Sequence, residues 1–489
     1  MDSITTREQD YSQWYLDVLA AAGLCDYSPV KGCMVLKPHG FAVWDLIRNE
    51  LDRRFRDTGH VNAYFPLLIP VSFLSKEAEH VEGFAKECAV VTHHRLRAAE
   101  GGGVEPDPAS RLEEPLVIRP TSETIIWHMY GQWIQSWRDL PILINQWANV
   151  VRWEMKTRPF LRTTEFLWQE GHTAHATSAE AQAEARQMLE VYASFARDFL
   201  AIPVTEGVKS ASERFAGAVD TYTIEAMMQN GWALQAGTSH FLGQNFAKAF
   251  DVTFQSATGE REHVWATSWG VSTRMVGAII MTHSDDTGLL LPPAVAPIQV
   301  VLTPIWKTDA EKATTLAFAD EVRAALGARF RVKLDDRDQL KPGAKYFEWE
   351  RKGVPLRLEI GPRDVAARSV FAAVRTGGKK YGIPFEGVAD AVAAALDGVH
   401  TELYRRAAER RVQRTLRVES YQEFKERLEG GGFFLVPWHD DAAWEARIKE
   451  ETRATIRCFP LEGQEEAAGK VCFASGRPAT HMAIFARAY

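Results

Sequence analysis

Apolar residues recur at helical spacing in two segments of the first half of the chain. Over residues 41–57 they stand three to four positions apart, and Thr58-Gly59 is a stop signal directly after them. Over residues 178–200 the apolar positions again share one face, and Thr177 and Glu180 have the spacing of a capping box. The pattern therefore predicts two amphipathic helices.

Short runs of strand-forming residues lie between and after these helices. They cover residues 61–69, 141–153, 164–168 and 263–268. Such runs fit an antiparallel sheet that carries helices, which is an α+β layout. Residues 98–115 contain three consecutive glycines and three prolines, so we expect a surface loop or a disordered hairpin tip there.

The pattern changes after the Leu- and Pro-rich residues 289–297, which resemble a linker. Strand and helix then alternate, which predicts a small α/β domain. The expected strands are 298–302, 331–334, 356–360 and 371–374, and the expected helix is 310–326. We therefore divide the chain into domains at 1–290, 291–405 and 406–489, the last a small α+β domain.

The composition fits a globular protein, with 46% hydrophobic and 25% charged residues among 489. No apolar run reaches the ~20 residues that a membrane span needs. The N-terminus lacks the features of a signal peptide, and five scattered cysteines do not suggest a disulfide framework. We expect a cytoplasmic protein.

The net charge of −7 gives no global signal for nucleic-acid binding, which depends on local patches. One such patch is the basic, helical stretch 405–417. It is compatible either with a solvated helix face or with a nucleic-acid contact.

Three constellations could carry chemistry. The first runs from Arg152 and Glu154 to Phe166, where strand alternation would put the charged pair on one face, as in any half-exposed strand. The second ends in Arg274 just before an apolar helix, where a buried arginine needs either an internal carboxylate or a phosphate. The third, 121–123 with 235–240, is weak because such residues are common in turns. Neither a P-loop nor a GxGxxG motif is present, so arginines would have to hold any nucleotide phosphates.

Taken in order, these segments resemble the signature motifs of class II aminoacyl-tRNA synthetases. The long helix with Gly59 and the strand up to Pro66 resembles motif 1, 152–166 resembles motif 2, and 270–274 with the next helix resembles motif 3. Several stretches of the sequence are similar to those of prolyl-tRNA synthetases of the archaeal/eukaryotic-like type. The matching stretches are 27–40 (YSPVKGCMVLKPHG), 119–123 (RPTSE), 161–172 (LRTTEFLWQEGH), 237–240 (GTSH), 269–274 (WGVSTR), 349–357 (WERKGVPLR) and 361–364 (GPRD).

The resemblance implies a class II antiparallel sheet, ATP with substrate-associated Mg²⁺, and activation of L-proline to prolyl-adenylate followed by transfer to tRNA(Pro). It also implies a homodimer built on motif 1. The alternative is a class II-like paralogue that has lost aminoacylation. Such a paralogue would not need Arg152, Glu154 and Arg274, all of which are present.

The resemblance also assigns site residues. For ATP these are Arg152, Glu154, Arg162, Phe166, Gln235, Thr238, Ser272 and Arg274, with Arg152 and Arg274 as the catalytic pair. For proline they are Thr121, Glu123, Arg152, Trp168, Glu170, His172 and His240. For the anticodon they are Glu350, Arg357 and Lys379, and the terminal Tyr489 would fold back towards the active site.

Two expected absences complete the picture. About 90 residues separate His172 from His263, too few for the large editing domain that some bacterial relatives carry between motifs 2 and 3. Many relatives have a four-cysteine zinc site near the C-terminus, whereas this chain keeps only Cys472 at a clearly corresponding place. Cys458 and His439 would add at most two ligands, with Asp440 as an oxygen ligand, so we expect packing instead of structural zinc.

Overall fold

The computed structural model describes residues 3–75 and 87–489. We refer to three regions by the boundaries that the sequence suggests: N-terminal (up to 290), middle (291–405) and C-terminal (406–489). The boundaries themselves stay a prediction.

The N-terminal region combines helices with mostly antiparallel strands. Its helices are α1 (Tyr11–Ala22), α2 (Pro38–Asp57), α3 (Val71–Ser75), α4 (Glu123–Trp133), α5 (Ser178–Asp198), α6 (Asn245–Ala249) and α7 (Arg274–His283). Its strands are β1 (Cys25–Tyr27), β2 (Met34–Leu36), β3 (Val61–Asn62), β4 (Leu68–Pro70), β5 (Ala89–His93), β6 (Leu96–Ala98), β7 (Val104–Pro106), β8 (Arg111–Ile118), β9 (Ile142–Val151), β10 (Glu165–His175), β11 (Val204–Val208), β12 (Asp220–Met227), β13 (Ala233–Gly243), β14 (Thr253–Gln255), β15 (Arg261–His263) and β16 (Trp265–Ser272).

Both amphipathic helices are confirmed, as α2 and α5. The predicted capping box at α5 is formed, because the Thr177 hydroxyl accepts from the Glu180 amide and the Glu180 carboxylate accepts from the Thr177 amide. The apolar face of α5 packs on the large sheet, where it buries Met188, Tyr192 and Phe195. Burial of such side chains stabilises by roughly 1.5–3 kcal/mol each relative to exposure.

Two local predictions were wrong in part. Residues 61–69 do not form one strand, because Asn62 ends β3 beside β9, and the chain turns before Leu68 starts β4 beside β8. Between them Pro66 has no amide hydrogen for a ladder, and the Phe65 amide donates to the Gln146 side chain. Residues 98–115 are an ordered hairpin of β6 and β7 followed by β8, with Gly102 in the left-handed region that its turn requires (φ +90°).

The middle region is the predicted α/β unit. Its elements are β17 (Val300–Pro304), α8 (Asp309–Gly327), β18 (Val332–Leu334), α9 (Pro342–Arg351), β19 (Leu356–Ile360), α10 (Pro362–Ala367), β20 (Ser369–Val374), β21 (Tyr381–Pro384) and α11 (Val388–Arg414). The sheet order is β18-β17-β19-β20-β21, parallel in its first three strands and antiparallel in the rest. The stretch 289–297 that leads into it is not an exposed linker, because Leu289, Leu291 and Val295 are buried in the main core.

The C-terminal region extends the N-terminal sheet. Its elements are β22 (Thr415–Arg417), α12 (Tyr421–Leu428), β23 (Phe433–Trp438), α13 (Ala442–Thr452), β24 (Thr455–Pro460) and β25 (His481–Ala486). Its four strands continue the large sheet of the N-terminal region. Within the described ranges the order of this sheet is β22-β23-β25-β24-β11-β12-β13-β16-β10-β9-β3. The join is the β11–β24 pair, where Gly207 is required because a Cβ there would lie 2.5 Å from the Cβ of Cys458.

The basic stretch 405–417 is only in part a solvated face, because several of its arginines contact the N-terminal region. Its helical part belongs to α11, which crosses the suggested boundary at 405 without a break. Arg410 donates to the Thr282 carbonyl at 2.9 Å and Arg414 to the Gln229 carbonyl at 2.8 Å. These arginines therefore fasten α11 to the N-terminal region, while Arg405 pairs with exposed glutamates of the same helix.

The residues considered for zinc are dispersed. Cys458 is buried where β24 meets β11, Cys472 is buried in the separate core of the C-terminal region, and His439 bonds the Pro478 carbonyl through Nδ1 at 2.8 Å. Among the residues that the structure describes, no group of three or more His, Cys, Asp or Glu side chains could hold a metal ion. None of the helices in 3–75 and 87–489 is long and apolar enough to span a membrane.

Candidate active site

One cavity of about 540 Å³ lies on the large sheet at β10, β13 and β16. Its walls contain all the residues that the resemblance assigns to ATP and proline, together with the last residue of the chain. They are Thr121, Glu123, Arg152, Glu154, Arg162, Phe166, Trp168, Glu170, His172, Gln235, Thr238, His240, Ser272, Arg274 and Tyr489. Arg152 and Arg274 thus face a common space, although they are 122 positions apart in the sequence.

Strand alternation explains how the inner wall forms. Trp168, Glu170 and His172 are spaced by two along β10 and face the cavity, whereas Gln169 faces the helix side and accepts from the Tyr192 hydroxyl at 2.7 Å. Register then aligns these residues with the neighbouring strands. The rows are Glu170–Gly270–Thr238 and His172–Ser268–His240.

A β-bulge brings Gln235 into the same wall. Gln235 and Thr238 are three positions apart, so a regular strand would point them to opposite faces. The register of β13 against β12 shifts between Ile224 and Glu225, which pair with Gly237 and Gln235 respectively. The extra residue inverts the alternation, and both side chains line the cavity.

The arginines make one part of the cavity electropositive. Arg274 opens α7, and its Nε donates to the Leu161 carbonyl at 3.0 Å. Arg152 donates from Nε to the Pro120 carbonyl at 3.0 Å. Burial, together with the nearby charge of Arg152, lowers the pKa of Arg274 to about 10, so this guanidinium is charged at neutral pH. A site that concentrates positive charge in this way favours an anionic ligand.

An aromatic wall adjoins this electropositive part. The Phe166 and Trp168 rings meet edge to face at 5.8 Å, and the Arg152 guanidinium lies 5.6 Å from the centre of the Phe166 ring. Arg162 forms an ion pair with Glu154. Because β9 ends at Val151, Arg152 and Glu154 lie after the strand, and the strand alternation predicted for them is not formed. The Lys156 amide donates to Glu154 as well, so the chain turns around this carboxylate.

The other end of the cavity contains a buried carboxylate–imidazole pair. Glu170 Oε2 lies 3.0 Å from His172 Nε2, and Glu170 Oε1 accepts from Ser122 and Gln146. Burial would lower the pKa of His172, but the hydrogen bond and charge of Glu170 outweigh it and raise the pKa. Burial likewise opposes ionisation of Glu170, yet its hydrogen bonds keep its pKa below the ordinary value. The pair thus favours a charged imidazole next to an ionised carboxylate.

Two further groups border this pair. The Thr121 hydroxyl donates to the Glu123 carboxylate, which is 5% exposed at the first position of α4. Burial and the charge of His172 lower the pKa of His240 to about 3, so its ring is neutral. Phe215 stacks on that ring with centres 4.5 Å apart, and Thr221 bonds its Nδ1 at 3.0 Å.

The last residue of the chain closes one side of the cavity. The Tyr489 amide donates to the Ala233 carbonyl at 3.1 Å, and its hydroxyl accepts from Asn230 at 2.7 Å. The Tyr489 ring packs on Trp232 and lies 5.3 Å from the Arg158 guanidinium. The C-terminus therefore folds back onto the N-terminal region, as the resemblance implies.

Among the cavity residues that the sequence did not single out are Glu87, Glu213, Phe215 and Thr221. Glu213 and Phe215 lie in the connection between β11 and β12, whose polar and small residues have no periodicity. Thr221 is an ordinary strand residue by pattern. Thr221 lies next to His240 because of the register between β12 and β13, which the sequence pattern does not reveal.

The residues assigned to the anticodon lie in the middle region, outside this cavity. Arg357 is 7% exposed and makes ion pairs with Glu350 at 2.9 Å and Glu359 at 3.1 Å. Its guanidinium lies 4.0 Å from the centre of the Tyr346 ring. Lys379 is exposed in the turn between β20 and β21.

Three protein families match successive parts of the chain, in the order of the N-terminal, middle and C-terminal regions. Residues 104–283 match the tRNA synthetase class II core domain (G, H, P, S and T). Residues 299–395 match an anticodon binding domain, and residues 421–489 match the prolyl-tRNA synthetase C-terminal family.

Full-length relatives agree with these matches. A proline–tRNA ligase of Porphyromonas gingivalis is 57% identical over 100% of this chain and 99% of its own length. The corresponding ligases of Bacteroides fragilis and Cytophaga hutchinsonii are 57% and 55% identical, over 100% and 99% of this chain and 99% of their own lengths. The chain therefore belongs to the prolyl-tRNA synthetases, the class II proline–tRNA ligases.

Proposed function

We propose that this chain activates L-proline with ATP to prolyl-adenylate and then transfers the prolyl group to the terminal adenosine of tRNA(Pro). The observation that carries the proposal is that one cavity has two chemically different parts. Arg152 and Arg274 make one part electropositive, while a compact, polar end is built around Glu170 and His172. Such a cavity can hold a triphosphate and a small zwitterion side by side.

In the first step a carboxylate oxygen of proline bonds to the α-phosphorus of ATP, and the bond to pyrophosphate breaks. Both reactants are anions, so the site has to supply positive charge and alignment rather than a covalent nucleophile. Arg152 would bridge the carboxylate and the α-phosphate, and Arg274 would hold the far phosphate. ATP enters as its Mg²⁺ complex, in which the ion neutralises part of the phosphate charge.

In the second step the terminal ribose hydroxyl of tRNA bonds to the prolyl carbonyl carbon, the bond from that carbon to the phosphate oxygen of AMP breaks, and the departing AMP phosphate takes up the hydroxyl proton. The same two arginines favour this step, because the leaving phosphate is again an anion. No side chain needs to be acylated.

The aromatic wall and the adjoining polar side chains would receive the adenosine part of ATP. Phe166 offers a ring face, and Glu154 offers a carboxylate acceptor once Arg162 moves from it to the phosphates. Gln235, Thr238 and Ser272 line the same space. Adenine stacking between an aromatic ring and a guanidinium is a favourable geometry for a neutral, flat base.

The compact end fits proline. The ring needs a close apolar wall, which Trp168 and the neutral ring of His240 provide, and the secondary ammonium needs acceptors. Thr121 and Glu123 supply oxygens for it. The Glu170–His172 pair forms the floor of the slot, because its 3.0 Å contact holds both side chains in place.

The proposed slot excludes large amino acids but does not reject alanine strongly. Loss of apolar contact is worth only ~1–3 kcal/mol, or roughly 10–200-fold discrimination. The residues between motif 2 and motif 3 form α5, α6 and strands of the core itself, which supports the absence of an editing domain in this stretch. We expect alanyl-adenylate formation without hydrolysis of Ala-tRNA by the same chain.

Glu350, Arg357 and Lys379 would read the two guanines of the proline anticodon. Guanidinium and ammonium groups donate to guanine acceptors, and a carboxylate accepts from the guanine amino group. The fixed geometry of Arg357 between two carboxylates supports this role, because a base edge requires directed hydrogen bonds.

The chain would act as a cytoplasmic homodimer without structural zinc. Apolar side chains lie exposed just after α2, where Val61 is 63% and Tyr64 is 70% exposed, and Trp133 of α4 is 44% exposed. A cluster of this kind favours a protein interface. Sedimentation of the wild type and of Tyr64→Glu tests it: a dimer that the substitution dissociates is expected, and a monomeric wild type contradicts it.

The test of the proposed function is ATP–pyrophosphate exchange on the purified chain with proline, alanine or cysteine, followed by charging of tRNA(Pro). We expect exchange that is fastest with proline, weaker exchange with alanine, and charging. No exchange with any of the three would favour a paralogue that has lost aminoacylation. Rapid deacylation of Ala-tRNA(Pro) by the purified chain would contradict the absence of editing, and stoichiometric zinc by elemental analysis would contradict the zinc-free C-terminal region.

A further inference from the structure

The loop between β11 and β12, residues 209–219, forms part of the cavity and is held from both the N-terminal and the C-terminal region. Within the N-terminal region the Phe215 amide donates to the Thr221 hydroxyl at 3.1 Å, and Asn245 donates to the Gly217 carbonyl at 3.0 Å. Glu213 and Phe215 line the cavity, and Phe215 covers the His240 ring. The family comparison and the proposed function assign no role to these two residues. The loop has no regular secondary structure, so its position depends on contacts with neighbouring elements.

Helix α13 of the C-terminal region contacts this loop at two points. The Ser210 hydroxyl donates to Glu445 Oε1 at 2.7 Å, and Lys449 Nζ lies 3.0 Å from Glu213 Oε1. Glu445 and Lys449 are four residues apart, so one face of the helix presents both to the loop. Glu445 is only 4% exposed. A buried carboxylate is retained at a cost, which its hydrogen bonds to the loop offset.

The start of the loop is anchored to the same region. Lys209 donates from Nζ to Glu225 at 2.8 Å and to the Arg457 carbonyl at 2.8 Å, and Arg457 itself pairs with Glu225 at 3.0 Å. All three side chains are buried. The base of the loop is thereby fixed, and the contacts to α13 add to those that Thr221 and Asn245 make with residues 215 and 217.

We propose that α13 is a positioning element for the amino-acid end of the cavity, in which Glu445 and Lys449 hold the loop so that Phe215 packs on His240. This inference rests on the proposed function, because it assumes that proline binds beside His240. The contact is indirect: neither Glu445 nor Lys449 lines the cavity. The helix therefore affects binding of the amino acid and not of ATP, whose expected phosphate partners lie on other elements.

The experiment compares Lys449→Met with Arg447→Met in proline-dependent ATP–pyrophosphate exchange. Arg447 is a matched control, because it forms an exposed ion pair with Glu451 on the same helix at 2.7 Å and has no contact with the loop. An exposed ion pair is worth about 0.2–1 kcal/mol, so we expect KM for proline to rise about two- to fivefold in Lys449→Met. KM for ATP and kcat should stay within about twofold, and Arg447→Met should match the wild type.

Three further variants separate positioning from general stability. Glu445→Ala removes the acceptor for Ser210 and should raise KM for proline by about tenfold, whereas Glu445→Gln keeps an acceptor and should stay close to wild type. Glu213→Gln combined with Lys449→Met should be no worse than either single change, because both remove the same contact.

The outcomes are distinguishable. An unchanged KM for proline in both Lys449→Met and Glu445→Ala overturns the inference, and so does an equal rise in KM for proline and ATP. A wild type without proline-dependent exchange instead contradicts the proposed function.

Discussion

Arg274 in the cavity and Arg357 in the middle region, which is assigned to the anticodon, stand in opposite electrostatic surroundings. Arg274 is held by a backbone carbonyl, and within residues 3–75 and 87–489 it has no salt bridge to a carboxylate. Arg357 lies between Glu350 and Glu359 and stacks on Tyr346. One guanidinium keeps its full charge inside the protein, and the charge of the other is balanced before any ligand arrives.

The difference corresponds to the charge of the proposed ligands. A triphosphate is an anion, and its binding free energy grows with positive charge that nothing else has neutralised. A guanine edge is neutral, so excess charge adds little to it and would attract any phosphate, whereas a rigid set of donors distinguishes one base from another. The surroundings of an arginine can thus indicate which kind of ligand it serves.

The largest effect should come from the cavity arginine. Replacing Arg274 by alanine should reduce proline-dependent ATP–pyrophosphate exchange by about 10²–10³-fold, the usual loss for one preorganised transition-state contact. Arg274→Lys keeps the charge but loses the planar fork and should recover only part of the rate. Arg261→Ala, an exposed arginine on β15, is the control. Exchange above a tenth of the wild-type rate in Arg274→Ala would contradict the role of Arg274 in holding the triphosphate.

The anticodon arginine should separate the two steps. Arg357→Ala should reduce charging of tRNA(Pro) by about 10–100-fold, because one bidentate base contact is worth ~1–3 kcal/mol. Exchange without tRNA should stay near wild type. Arg329→Ala, which removes an exposed ion pair with Asp390 in the same region, should alter neither assay. An equal loss in both assays would show that Arg357 supports the fold rather than the anticodon.

Removal of Tyr489 should affect the cavity but not the anticodon reading. The deletion breaks the hydrogen bond to Asn230 and the contacts with Trp232 and Arg158. We expect exchange to fall by about tenfold from the loss of one hydrogen bond and one cation–π contact. The ratio of charging between tRNA(Pro) and a tRNA with altered anticodon guanines should not change. An unchanged exchange rate would remove Tyr489 from the proposed site.

The smallest effect is a pH dependence at the proline end. The pKa of His172 is raised above its ordinary value of 6.5, so the ionic pair with Glu170 is complete below that value and is lost as the pH rises through the folded-state pKa. KM for proline should therefore increase a few-fold on the alkaline side, since about one charged hydrogen bond is weakened. KM for ATP should be flat over the same interval. His172→Asn should abolish the alkaline rise, and a rise that persists would assign it to another group.

The sequence by itself determined the local elements that periodicity can encode. Helices α2 and α5, strands β9 and β19, and the change from antiparallel to α/β layout all follow from spacing, caps and turns, because these signals lie within about 20 consecutive residues. For β10 the pattern predicted only residues 164–168, whereas the strand runs to His175. The motifs around Arg152 and Arg274 were recognisable for the same reason. Where Pro66 interrupts a strand-like run, the local pattern was misleading.

Only the tertiary structure decided which of these residues meet. The bulge that turns Gln235 into the cavity, the register that aligns His172 with His240, and the contacts of α13 with the loop at Glu213 depend on pairing between distant segments. The basic stretch of α11 illustrates the same limit, because its arginines bind carbonyls that are more than a hundred residues away. Such contacts arise from packing of the whole chain, so no window of sequence contains them.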